Sequence, residues 1–289
     1  RTPAVEADLK KIGVQTREYG EVVSALARYP DYNIMIDPDE VSHTLAKAVR
    51  CPHVVWGHSP IPVMKAVKNE VEIRGYRSAM LKDGIAMVKF LHWLVPAVRK
   101  GGETEMTVAD KLNALRAEQP LFRDISFDTI AAYEAHGAIV HYEPTPSSAS
   151  ALRPEGLLLD SVAQYVDGTT DITRTIALGS VSEEQKRVYT NVLKAHIQME
   201  LAKFPDGAAG TQIDAFARGV LWREGMNYLH GTGHGVGAYL SVHEGPHQVR
   251  MEWKPTPLHA GMTITDEPGI YLDGRFGVRV ENTLLIAPY

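Results

Sequence analysis

Between Asn69 and Val98 the apolar residues Met80, Ile85, Met87, Val88, Phe90, Leu91 and Leu94 recur mostly at helical spacing, and Gly101-Gly102 closes the run. A helix this long needs an extended apolar surface to lie on, and the later sequence supplies strands for it. Strands are expected between Phe127 and Tyr142, and a hairpin from Glu155–Asp160 and Thr169–Leu178. Thr107 with Asp110 reads as the N-cap of a helix through Gln119, and Ser182-Glu-Glu-Gln185 has the form of a capping box opening a helix to about Phe204. A further helix runs from Thr211 to Gly225, and Tyr228 to Tyr289 is strand and Gly-rich turn. The pattern predicts an α+β domain over 66–289, with helices covering a mostly antiparallel sheet.

The first 65 residues carry three small elements: a buried strand over Tyr32–Asp37 stopped by Pro38, a short helix over Asp39–Val49, and a strand at His53–Trp56. That is a thin core for an independent domain, so residues 1–65 read as the tail of a preceding α/β domain. The chain starts without an initiator Met or a signal-peptide apolar region, which fits a fragment of a longer protein.

Composition removes several functional classes. Lys plus Arg is 30 against 35 for Asp plus Glu, a net charge of −5, so there is no basic excess for nucleic acid or an anionic membrane. No apolar run approaches the ~18 residues of a membrane span. A single cysteine, Cys51, excludes an intrachain disulfide and a thiolate metal cluster, and fits a reducing, cytoplasmic compartment.

What remains is a set of acidic and histidine side chains set into patterned segments. Asp160 ends the apolar run Leu157-Leu-Leu, and Asp171 interrupts the strand Thr169-Thr-Asp-Ile-Thr. A hairpin register that places them opposite each other brings their Cβ atoms to about 5 Å. Two carboxylates that close repel unless one is protonated or a cation lies between them. Strand alternation puts Val278 and Val280 on one face and Arg279 and Glu281 on the other. Glu267 precedes Pro268-Gly269, which fixes the turn. Taken singly, these residues also suit solvated turn caps or a surface ion pair.

The loop His230-Gly-Thr-Gly-His234-Gly-Val-Gly237 has four glycines in its last seven residues, costly unless backbone must pass close to something. No Gly-Lys-Ser/Thr follows, so it is not a phosphate loop of the P-loop type, and Ala238–His243 reads as a strand rather than the helix of a dinucleotide fold. His234 is a plausible metal ligand, and His243 lies nine positions on. His141-Tyr-Glu-Pro and His243-Glu-Gly-Pro both end apolar runs, which fits either a trace of duplication or chance. Two Asp, two Glu and one His suit Mn²⁺, Fe²⁺, Co²⁺ or Zn²⁺, and two divalent cations neutralise four carboxylates where one does not.

These motifs resemble those of the pita-bread metallopeptidases. Asp160-Ser-Val-Ala-Gln-Tyr-Val-Asp-Gly-Thr-Thr-Asp171 resembles their paired-Asp hairpin, and the His234 loop their metal-histidine segment. Asp266-Glu267-Pro-Gly and Val278-Arg-Val-Glu281 resemble the two Glu segments. Within that superfamily, Lys65-Ala-Val-Lys-Asn-Glu, Ser126-Phe-Asp-Thr-Ile, Gly137-Ala-Ile-Val-His-Tyr and the His234–His243 step resemble the large, three-domain Xaa-Pro aminopeptidases. The opening 65 residues resemble the end of that family's second domain. Val162 departs from the Gly usual there.

The resemblance implies a curved antiparallel sheet under helices and two divalent metals, most simply Mn²⁺. It implies Asp171 and Glu281 as bridging ligands, Asp160 on one metal, and His234 and Glu267 on the other. It further implies a metal-bridged hydroxide, Glu267 as proton shuttle, and His243 at the substrate carbonyl. His230 and His141 would line the pocket, and Arg279 would brace Glu281. The implied reaction is release of an N-terminal residue preceding proline, by a homodimer. A prolidase acting on Xaa-Pro dipeptides and a catalytically silent peptide-binding module of the same fold are the alternatives.

Overall fold

The computed structural model describes residues 2–289; the side chains of Leu157 and Leu158, part of the apolar run before Asp160, lie outside the described residues. The chain divides into two compact units, Arg1–Ile61 and Pro62–Tyr289. The first holds α1 (Pro3–Lys11), α2 (Val22–Leu26), β1 (Asn33–Ile36), α3 (His43–Ala48) and β2 (His53–Trp56), with β1 and β2 paired in parallel. The Thr2-Pro3 start of α1 is a cap followed by proline at the first helical position, where its missing N–H costs nothing. The strand expected to be buried is mostly exposed, and only Ile36 of β1 is covered. The acids ahead of α3 do not enter it. Asp37 accepts from Asp39 N and Ser59 N, and Ser42 caps the helix instead.

In the second unit, α4 (Ile61–Ala66) leads to α5 (Glu70–Lys100), α6 (Glu105–Ala117), β3 (Phe122–Asp124), β4 (Ile130–Tyr133), β5 (Gly156–Tyr165) and β6 (Gly168–Ala177). Then come α7 (Glu183–Glu200), α8 (Gly210–Trp222), β7 (Gly233–His234), β8 (Gln248–Val249), β9 (Thr263–Asp266), β10 (Gly269–Leu272), β11 (Phe276–Arg279) and β12 (Asn282–Leu285). Among the described residues no helix is long and apolar enough to cross a membrane.

The long helix forms as expected. Asn69 and Glu72 make its capping box, and Gly101, at φ 85°, ends it. Its apolar stripe, including Met87, Phe90, Leu94 and Val98, packs on Val108, Leu112 and Leu115 of α6 and on Ala131, Leu159 and Ile172 of the sheet. The cap of α6 is Thr104, one turn before Thr107. Thr107 supplies the return bond, its hydroxyl accepting from Thr104 N at 2.8 Å. The second half repeats the arrangement: α7 and α8 bury Val188, Val192, Met199, Ile213 and Leu221 against Ile264, Ile270 and Val278.

Strand β5 is central to a four-stranded antiparallel sheet, with β6 along one side and β4 then β3 along the other. Of the stretch 127–142, only Ile130–Tyr133 is strand, and a 3₁₀ turn over Glu134–Ala138 follows. The hairpin register differs from expectation. Asp160 pairs with Thr173 and Val162 with Asp171, because the loop is Val166-Asp167. The shift is by two residues, so both carboxylates keep the same face and become diagonal neighbours. Beyond the His234 loop, residues 238–243 form bends and no strand, with Leu240 and Ser241 at positive φ.

Next to this hairpin lies a buried ion pair. Arg116 donates to both oxygens of Asp83, at 2.7 and 3.0 Å, and to Val162 O and Ser161, tying α5, α6 and β5 together. Both side chains are fully covered. Arg116→Ala strands the Asp83 carboxylate in the interior and is expected to cost about 3–5 kcal/mol of unfolding free energy in urea denaturation. A loss below about 1 kcal/mol, the size of an exposed pair, would contradict this account of the hairpin's support.

Candidate metal centre

The sheet of the first half and the strand pairs of the second meet at one cavity of about 550 Å³. All nine residues singled out in the sequence line it: Asp160, Asp171, His141, His230, His234, His243, Glu267, Arg279 and Glu281. Asp160 and Asp171 come from β5 and β6. Glu267 sits in the turn between β9 and β10, and Glu281 lies between β11 and β12. Polar bonds stitch the halves at this seam. Glu281 N donates to Thr173 O at 3.1 Å, Thr283 Oγ1 to Asp171 O at 3.1 Å, and Thr175 Oγ1 to Arg279 O at 2.9 Å.

The glycines of the histidine loop answer to close approach. A Cβ on Gly233 would stand 1.9 Å from Thr265 O, and one on Gly235 would stand 2.1 Å from Glu244 O. The loop is thereby pressed against β9, and His234 enters the cavity. Its Nδ1 donates to Gly235 O at 2.9 Å, which turns Nε2 toward Asp171 Oδ2 at 3.4 Å and Glu267 Oε1 at 3.6 Å.

Two groups of potential ligand atoms, each within 4.8 Å of one another, share Glu281: Asp160, Asp171, Glu281 and His234, Glu267, Glu281. A third brings His243 to Asp171 and His234. The electrostatics ask for positive charge. Burial, together with the neighbouring carboxylates, raises Asp171 to about 6 and Glu267 to about 8, and pushes Glu281 well above the carboxylate range. Burial works against a charged His234, yet its bond to Asp171 and the charge of Glu267 raise it to about 9. Asp160 Oδ1 is buried without a hydrogen-bond partner among the described residues. Hard oxygen donors, one imidazole with its lone pair turned inward, and an unsatisfied carboxylate oxygen fit a pair of divalent cations.

Arg279 reaches Glu281 through the Thr173 hydroxyl and makes no direct bond to it among the described residues. It donates to Asp160 Oδ2 at 2.6 Å, to Tyr271 Oη at 2.8 Å and to Thr173 Oγ1 at 3.3 Å, while Glu281 Oε2 accepts from the Thr173 hydroxyl at 2.6 Å. Alternation along one strand identifies a shared face; it does not identify the partner across the sheet. His230 is fixed by its own bonds. Nδ1 faces Gly231 O at 2.7 Å and Nε2 faces Tyr271 Oη at 2.8 Å, so neither nitrogen is free, and burial lowers it to about 4. His141 and His243 are exposed to the cavity. Tyr271 and Thr173 were missed as site residues, although Thr173 ends the strand segment that Asp171 interrupts and Tyr271 lies two residues after the Glu267-Pro-Gly turn. A hydroxyl near an acid carries no signal until the fold shows what it touches.

Comparison with known proteins agrees with this geometry. Residues 74–288 match the model of metallopeptidase family M24, and residues 1–72 match the creatinase/prolidase N-terminal domain. The chain belongs to metallopeptidase family M24, and its fold is the pita-bread fold of that family. It is 46% identical to a probable Xaa-Pro aminopeptidase P of Laccaria bicolor, over 86% of this chain and 39% of that one. It is 39% identical to aminopeptidase P1 of Arabidopsis thaliana, over 95% of this chain and 50% of that one. Among solved structures it is similar to an X-prolyl aminopeptidase of Caenorhabditis elegans, described as a cytosolic enzyme with a di-nuclear active site. That match has TM-score 0.91 and 36% identity, covering 98% of this chain and 48% of that one. Prolidase from Pyrococcus furiosus follows at TM-score 0.81 and 25% identity, covering 99% and 83%. The chain thus spans about half the length, or less, of these three aminopeptidases.

Proposed function

We propose that this chain is the catalytic part of an Xaa-Pro aminopeptidase holding two divalent metal ions, most simply Mn²⁺. The observation that carries the reading is the buried cluster in which Glu281 joins Asp160 and Asp171 on one side and His234 and Glu267 on the other. Asp171 and Glu281 would bridge the two ions, Asp160 would complete one site, and His234 and Glu267 the other. When bound, the ions would supply Lewis-acid polarisation of the scissile carbonyl and activation of a water.

The chain's own side chains divide the remaining work. Arg279 neutralises and orients Asp160 through their 2.6 Å contact. Glu267 borders the cavity and takes and returns a proton as the amide breaks. His243, with neither ring nitrogen bonded among the described residues, faces the cavity 4.4 Å from the His234 ring and donates to the substrate carbonyl. His230, with both nitrogens engaged, acts as a fixed wall, and His141 lines the same cavity. Residues 1–65 are read as the end of the preceding α/β domain. A cytoplasmic setting, as described for the C. elegans enzyme, and a homodimer belong to the same proposal.

The test is hydrolysis of an Xaa-Pro-Xaa peptide and an Xaa-Pro dipeptide by one sample, chelated and then reloaded with Mn²⁺. Metal-dependent release of the first residue from the longer peptide is expected. Cleavage of the dipeptide alone would favour a prolidase, and no cleavage with no bound metal would sink the reading. His243→Ala is expected to lower kcat about 10²-fold with metal content unchanged; loss of bound metal instead would make His243 a ligand.

A further inference from the structure

The two glutamates stand at the open end of a strand ladder. In the antiparallel pair β9–β12, Asp266 is directly opposite Asn282, and this is the last pair. One position further on, the chains part: Glu267 N donates to Thr232 O at 2.8 Å and Glu281 N to Thr173 O at 3.1 Å. No ladder bond between them sets the separation of Glu267 and Glu281. Because side chains alternate along strands, Asp266 and Asn282 face away from the cavity that their neighbours enter.

On that outer face sits His196 of α7, buried to 3% exposure. Its Nδ1 donates to Asp266 O at 3.1 Å and lies 3.0 Å from Asp266 Oδ2. That carboxylate is fully buried and has no other polar partner among the described residues. The Nε2 of His196 accepts from Asn282 Nδ2 at 3.1 Å and lies 3.2 Å from Glu200 Oε1, one helical turn on. Asn282 in turn accepts from Arg174 Nη2 at 2.9 Å, and Arg174 Nη1 donates to Glu281 O at 2.5 Å. One imidazole therefore spans the last ladder pair from behind, and its links reach the backbone of a proposed metal-bridging residue.

We propose that His196 is a positioning residue, which clips Asp266 to Asn282 on the outer face of the β9–β12 ladder and so fixes the separation of Glu267 and Glu281 at the metal pair. The inference rests on the metal reading above. Sequence gave no hint of it: His196 falls on the apolar face of α7, where a buried histidine looks like core. Loss of such outer contacts costs 10–100-fold in metal affinity.

The test compares His196→Leu, which fills the space without a polar atom, with His196→Gln, whose amide can donate toward Asp266 and accept from Asn282. Mn²⁺ binding to the 289-residue chain is measured by calorimetry, with thermal melts to confirm folding. His196→Leu is expected to bind Mn²⁺ about 10–100-fold more weakly, with kcat lowered and the peptide KM little changed, and His196→Gln to recover most of the affinity. Wild-type affinity in a folded His196→Leu, or equal losses in both variants, overturns the clip and leaves the metal site standing. Failure of the wild-type chain to bind Mn²⁺ overturns the metal reading and the clip with it. If His196→Leu does not fold, Asn282→Ala breaks the same link from the strand side and is held to the same outcomes.

Discussion

Asp171→Ala is expected to lower kcat/KM for Xaa-Pro-Xaa peptides on the order of 10³-fold, equivalent to about 4 kcal/mol of transition-state stabilisation. Asp171 groups with Asp160 and Glu281 and also reaches His234, and in the proposed bridging role its loss affects both metal positions at once. The same substitution should raise the stability of the chelated protein. Burial, with Asp160 beside it, lifts the Asp171 carboxyl to about 6, so its ionised form is a burden at neutral pH when no cation offsets it. Activity assays and urea denaturation of the chelated variant check both halves. A variant that keeps its activity, or one whose chelated form is less stable than chelated wild type, would count against a metal role for Asp171.

The second large effect is the pH dependence of the chelated protein. Asp171 moves from 3.8 to about 6, Glu267 from 4.5 to about 8, and His234 from 6.5 to about 9, while Glu281 is raised well above 4.5. Each group therefore binds its proton more tightly folded than unfolded. For Asp171 and Glu267 the stabilising contribution is complete below about pH 4 and is lost as pH climbs toward about 8, and Glu281 shifts in the same direction; for His234 it is complete below about 6.5 and is lost through about 9. All four act in the same direction, so the chelated melting temperature should fall between about pH 5.5 and 8. Saturating Mn²⁺ should restore it, by about 4 kcal/mol at a thousandfold excess over Kd, and by more at the upper pH. Melting curves in chelator and in Mn²⁺ at the two pH values decide this. A chelated profile that is flat or rising would show that the carboxylates do not share one low-dielectric site.

The candidate ligands were legible because each breaks a strong local pattern. Asp160 ends an apolar run, Asp171 interrupts a strand, and His234 stands among glycines that only close packing explains. The long helix was legible for the same reason: period, cap and terminating glycines agree. Cross-chain matters were not. The hairpin register depended on a loop of Val166-Asp167 that carries no strong turn signature, and the partner of Arg279 lies on another strand. The exposure of β1 follows from the few apolar neighbours its unit provides, which strand composition does not reveal. His196 was hidden because helical spacing tells which face is covered, while what covers it is tertiary.

The proposed ligands are supplied by two separately packed cores. Asp160 and Asp171 stand on the sheet backed by α5 and α6, and Glu267 and Glu281 on the strands backed by α7 and α8. The group of Asp160 and Asp171 takes its third ligand, Glu281, from the other core, so the full pair of proposed sites exists only where the two cores meet. The metal would then act as a rivet as well as a reagent. Stripping it should quicken exchange of the Glu281 amide, which donates to Thr173 O across the seam, while the interiors of both lobes stay protected.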